Sequence, residues 1–142
     1  MSTELGQNSY APTLYLRPAE LQGVNELPED EKDRLSPIFC LKPWTSAKLL
    51  QSALDKIEEV YPDRSYFLDI DPFYAVEDIK RPAQEEFRQL IDDEDNNQSW
   101  VDLFDAHGNA HPCLQVKHRK ISAISNQIKQ FTDLEKIFLI RI

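Results

Sequence analysis

Five short apolar runs, each the length of a β-strand, recur along this chain with helix-like stretches between them. That alternation constrains the fold more than any other feature. The runs are 13–17 (TLYLR), 38–42 (IFCLK), 66–71 (YFLDID), 113–117 (CLQVK) and 137–141 (IFLIR). They are rich in β-branched or aromatic residues and bounded by Pro, Ser, Asp or Lys, as strands are. Pro12, Pro37 and Pro112 stand just before three of them, and Pro18, Pro43 and Pro72 just after three. Proline is tolerated at those ends because no central ladder N–H is lost there.

The stretches between carry the helical period. Over 48–60, Leu49, Leu50, Ala53, Leu54, Ile57 and Val60 share one face, with Thr45 or Ser46 as the expected N-cap. Ile121, Ile124, Ile128 and Phe131 repeat the pattern near the C-terminus. Pro18 opens a short helix through Val24 as a first-turn proline, and 28–35 reads as an acidic turn or two. Helices are also expected over 83–91 and 99–106, the latter capped by Ser99 and stopped beyond its end by Gly108. The acidic run 92–97 (DDEDNN) reads as a loop, and the polar residues 1–9 as a flexible terminus. Residues 10–142 then form a single α/β domain with a five-stranded, mostly parallel sheet. An open doubly wound sheet and a partial (β/α) TIM-type barrel both fit this order.

Each run turns charged at its carboxyl end, at Arg17, Lys42, Asp69 with Asp71, Lys117 and Arg141. The ligand site of parallel α/β folds lies beyond those ends. A period of two sets Tyr15 with Arg17, Cys40 with Lys42, Asp69 with Asp71, Gln115 with Lys117, and Leu139 with Arg141. The opposite face is wholly apolar: Leu14, Leu16, Phe39, Leu41, Leu68, Ile70, Leu114, Val116, Phe138 and Ile140. A barrel accounts for such asymmetry, because its outer face is covered by helices while its inner face can be polar. Four bases against two carboxylates suit an anionic small molecule such as a phosphate or carboxylate. Solvated strand exits closed by ion pairs are the alternative.

Other chemistries find little support. The chain carries 25 acidic and 16 basic residues, a net charge of −9, so nucleic acid is not an expected partner. The segment 117–120 (KHRK) is a local basic patch, sufficient for an acidic partner or a phosphate. No P-loop, dinucleotide fingerprint or nucleophile elbow occurs, and no cofactor is expected. Asp69 and Asp71 are too few for a metal and have bases to pair with. His107, His111, Cys113 and His118 match no zinc spacing. Trp44, Phe73, Tyr74 and Trp100 read as core or rim packing rather than base-stacking residues. Cys40 and Cys113 lie outside any CxxC pair and read as reduced thiols. With no signal peptide and no run near 18 apolar residues, a cytoplasmic protein without a membrane partner is expected.

Residues 10–27 (YAPTLYLRPAELQGVNEL) and 35–44 (LSPIFCLKPW) resemble the Beta protein family of bacteriophages and bacteria. The matching features are Tyr10, Pro12, Arg17 and Glu20, then Pro37 and Ile38, and the strand 66–71. The resemblance implies a barrel-type α/β fold, a phage or phage-defence setting and no settled activity. Family members are roughly twice this length or more, while this chain stops where a fifth barrel strand would end, so a truncated gene, natural half or fragment is expected. Exposed sheet edges would then favour self-association or a protein partner. Two functions stay open: an interaction protein engaging a host or defence protein, and a barrel-type enzyme or sensor binding a phosphorylated small molecule or nucleotide.

Overall fold

A computed structural model describes residues 10–92 and 97–141. The terminus 1–9, most of the acidic run and Ile142 lie outside the described residues. The elements, in chain order, are β1 (Thr13–Tyr15), α1 (Pro18–Asn25), α2 (Glu29–Lys32), β2 (Ile38–Leu41) and α3 (Gln51–Val60), followed by β3 (Tyr66–Ile70), α4 (Pro82–Ile91), α5 (Gln98–Ala106), β4 (Ala110–Pro112) and α6 (Ile121–Asp133). The strands form one parallel sheet in the order β1-β2-β3-β4, with Leu14 opposite Phe39, Phe39 opposite Leu68 and Phe67 opposite His111. The sheet is not closed.

One hydrophobic core joins the sheet to its helices. Phe39, Leu41, Tyr66, Leu68 and Ala110 meet Leu21 and Val24 of α1, Leu54 and Ile57 of α3, Phe87 of α4, Trp100 and Phe104 of α5, and Phe131 of α6. The helices that enter this core pack on one face of the sheet. A doubly wound sheet reverses its strand order and carries helices on both faces; sequential order with single-sided helices excludes that alternative. The face expected to be apolar does contact the helices, except that Ile140 is 54% exposed. The opposite face is not uniformly polar. Ile38, Phe67 and Cys113 form a second small cluster with Leu139.

Local chemistry sets the helix starts. Pro18 and Pro82 occupy the first turns of α1 and α4, each after an arginine in extended conformation, where the missing N–H costs nothing. At α4, the Gln84 side chain also accepts the Arg81 N–H at 3.1 Å. α3 begins three residues later than its apolar pattern, so neither Thr45 nor Ser46 caps it. Ser46 has a positive φ in the preceding turn, and the Leu50 N–H donates instead to Oε2 of Glu86, 2.8 Å away. Leu49 is left outside the helix and 52% exposed. α5 begins at Gln98 after Asn97 rather than being capped by Ser99.

Two strand expectations are corrected. The fourth strand is Ala110–Pro112, three residues before the expected 113–117. Beyond Leu114 the chain leaves the sheet because the amide of Gln127, on α6, takes both backbone groups of Gln115. Gln127 Oε1 accepts the Gln115 N–H at 2.9 Å, and its Nε2 donates to the Gln115 carbonyl at 2.8 Å. The expected fifth strand, 137–141, makes a single parallel bridge, Leu139 to Cys113. Its two hydrogen bonds run from Leu139 N to the Pro112 carbonyl and from Leu114 N to the Leu139 carbonyl. Pro112 has no N–H to lengthen that ladder.

Candidate functional site

Four of the six strand-end residues lie in the segments that leave a strand, while Asp69 lies within β3 opposite Cys40 and Arg141 follows the bridge residue Leu139. Asp71 follows β3, is 5% exposed, and accepts the Phe73 N–H on Oδ1 at 2.8 Å. Its own N–H donates to the Leu41 carbonyl, so this turn is anchored to β2. Arg17 follows β1, lies 3.6 Å from the Glu20 carboxylate and covers the Tyr15 ring at 5.2 Å. Lys42 follows β2 and is half-buried, while Lys117 is exposed in the 113–120 loop; neither forms an ion pair among the described residues.

Asp69 and Arg141 meet directly. Nη1 of Arg141 donates to Oδ2 of Asp69 at 2.7 Å, and Nη2 donates to Oγ1 of Thr13 at 3.3 Å. The guanidinium charge also acts on the Cys40 thiol of β2. Arg141 thus links the 137–141 segment to β1 and β3. Two residues beyond the Leu139 bridge, it reaches over this face of the sheet to β3 and β1. The period-two pattern placed Asp69 and Arg141 among the polar positions; it gave no sign that Thr13 would share their contact.

The electrostatics divide the molecule by strand end. Loops after the strands carry Arg17, Lys42, Lys48, Lys80, Arg81, Lys117, Arg119 and Lys120, against Asp71, Glu77 and Asp78; Glu20 stands on Arg17, and Asp92, the C-cap of α4, adjoins the Ile91 carbonyl that Arg119 reaches. Some of these bases are occupied. Arg81 donates to the carbonyls of Trp44 and Ala47, and Arg119 to that of Ile91 at the end of α4. Lys42, Lys48, Lys80, Lys117 and Lys120 form no ion pairs among the described residues. The other end is acidic: Arg64 pairs there with Glu29 at 2.7 Å and Asp33 at 2.8 Å, beside Glu26, Asp30 and Glu31.

The cysteines are not activated nucleophiles. Burial, reinforced by the Asp69 charge, pushes the Cys40 thiol up to about 11, and burial raises Cys113 further. Both stay protonated at neutral pH. Among the described residues, no three His, Cys, Asp or Glu side chains gather to hold a metal. An open cleft of about 510 Å³ lies against α4, lined by Tyr74, Val76, Phe87, Arg88 and Ile91, and none of the six strand-end residues lines it.

His111 fastens the 137–141 segment to β4, accepting the Ile137 N–H on Nδ1 at 3.1 Å. Burial, then the charge of Lys136, lowers it to about 4. Its contribution to stability is therefore complete above the unfolded value near 6.5 and lost as pH falls toward 4. Between pH 7 and pH 4.5 the wild type is expected to lose more melting temperature than His111→Gln, which keeps an acceptor without a titration. Parallel losses in thermal melts would remove His111 as the cause.

A model of the family described as Beta protein matches residues 10–142. This chain belongs to the Beta protein family. It is 27% identical over 135 residues to Protein beta of Enterobacteria phage P4, across 94% of this chain and 36% of that protein. The chain thus spans about a third of the length of that phage protein. No solved structure matches it. Among the described residues, no helix is long and apolar enough to cross a membrane.

Proposed function

We propose that residues 10–142 form one α/β domain of a barrel-type, phage-associated protein whose strand-end mouth binds a phosphate-bearing small molecule. The observation that carries this reading is the run of lysines without an ion pair among the described residues in the loops after the strands, on a molecule whose net charge is −9. Evenly scattered charge would leave that end acidic. The contacts of Arg141 with both β3 and β1 support the barrel-type geometry, in which loops after the strands converge on a ligand. The reading is one of binding: the strand-end set contains no histidine, and both nearby thiols are protonated.

A second reading has an observation of its own. Ile121 is 83% exposed, Ile137 44% and Ile140 54%, and the backbone groups of Leu139 face β4, which turns those of Phe138 and Ile140 outward. A protein partner, whether a host or defence protein or a second copy, would find an open edge with Ile137 and Ile140 exposed along the 137–141 segment. The β1 edge is less inviting, because the Tyr15 N–H is already taken by the Glu20 carboxylate at 2.6 Å.

One titration separates the two. Ribose 5-phosphate at 100 times its Kd is expected to stabilise the chain by about 2.7 kcal/mol, read as a rise in Tm. Lys42→Ala with Lys117→Ala should abolish the rise without lowering the unliganded Tm. No shift with millimolar phosphate compounds, together with a mass that grows with concentration in light scattering, would overturn the ligand reading in favour of the edge.

A further inference from the structure

We infer that the ligand of this mouth carries a planar heteroaromatic ring, making it a nucleotide rather than a plain sugar phosphate, and that Phe73 is the surface on which the ring stacks. The inference rests on the phosphate-binding reading above and adds the ligand class. Phe73 is 77% exposed, yet its backbone is not free. Pro72 fixes the preceding φ, and the Phe73 N–H is held by the carboxylate of the nearly buried Asp71, whose backbone N–H donates to the Leu41 carbonyl of β2. One side of the ring meets Tyr15 across the sheet end, with centroids 5.8 Å apart and planes tilted by 49°, and the high exposure of Phe73 leaves ring surface open to solvent.

A single exposed apolar residue is ordinary. A pinned aromatic that shares a ring neighbour with a cation is a more specific arrangement. The Arg17 guanidinium lies over Tyr15, the ring that Phe73 touches, and Glu20 orients it at 3.6 Å. An aromatic face and an arginine therefore share the Tyr15 ring as a neighbour at the ends of β1 and β3. Bases stack on aromatic side chains with little regard to sequence because every base has a π-face, while a guanidinium matches the geometry of phosphate oxygens. The pair matches the two halves of a nucleoside monophosphate. A sugar phosphate would use only Arg17 and the lysines.

Calorimetric titration of the full chain with the four nucleoside monophosphates and with ribose 5-phosphate tests this. At least one nucleotide is expected to bind tenfold or more tightly than ribose 5-phosphate. Phe73→Ala should weaken that nucleotide by about ten- to a hundredfold and leave ribose 5-phosphate unchanged. Phe73→Trp should retain binding, and circular dichroism should show all variants folded, since Phe73 is outside the core. Equal affinities with no effect of Phe73→Ala would overturn the nucleotide inference while leaving the phosphate mouth standing. Failure of all five ligands to bind would overturn both.

Discussion

Phe104→Ala is expected to cost about 3–5 kcal/mol of folding stability, the range for removing a large aromatic from a closed core. Trp100, Phe104 and Phe131 are each 0% exposed. Phe104 is the middle member, edge-on to Trp100 at 4.7 Å and to Phe131 at 5.5 Å. Its removal breaks two aromatic contacts, each worth about 0.5–1.5 kcal/mol beyond burial, and opens a cavity between α5 and α6. Neither neighbour can collapse into the gap without leaving its own partners. Urea unfolding at constant m-value measures the effect, with Phe104→Leu as a milder comparison. A loss below about 1 kcal/mol would mean that this layer is not the closed core described above.

That aromatic layer belongs to the part of the fold that is legible in the sequence. Ala53, Leu54, Ile57 and Val60 repeat at helical spacing because one face of α3 must be buried, and the burial follows the spacing residue by residue. The alternation of strands with helices likewise implies parallel pairing. The misread positions are those where a distant side chain substitutes for a local signal. At the late start of α3 the Leu50 N–H is served by Glu86, 36 residues away, rather than by Thr45 or Ser46. Arg141 reaches Thr13 across 128 residues, so the strand-end charges could be read as a set while the contact between Asp69 and Arg141, and the independence of Lys42 and Lys117, could not. Phe73 shows the same limit. A sequence of Asp, Pro, Phe and Tyr after a strand reads as rim packing; only the fold separates Tyr74, edge-on to Phe87 at 5.1 Å, from its exposed neighbour.

Gln127→Leu is expected to destabilise the chain by about 2–4 kcal/mol although it replaces a fully buried polar side chain with an apolar one of similar size. Gln127 is 0% exposed, and its amide supplies a donor and an acceptor to the Gln115 backbone, in place of the strand the sequence suggests. Leucine fills the volume and leaves the Gln115 N–H and C=O without partners, at about 1–3 kcal/mol for each group left unsatisfied. The effect should extend beyond the site of substitution. The Gln115 side chain donates to the Leu90 carbonyl at 2.7 Å and accepts from Arg119 at 2.8 Å, so the same contact positions the 113–120 loop that bears Lys117 and Lys120. Hydrogen exchange should therefore show faster exchange at Gln115 and along that loop in Gln127→Leu, with β2 and β3 unchanged relative to global stability. Gln127→Glu separates the two bonds: it retains an acceptor for the Gln115 N–H and sets a carboxylate oxygen against the Gln115 carbonyl. A stable Gln127→Leu variant with normal protection at Gln115 would mean that the chain can rejoin β3 there and extend the fourth strand over 113–117.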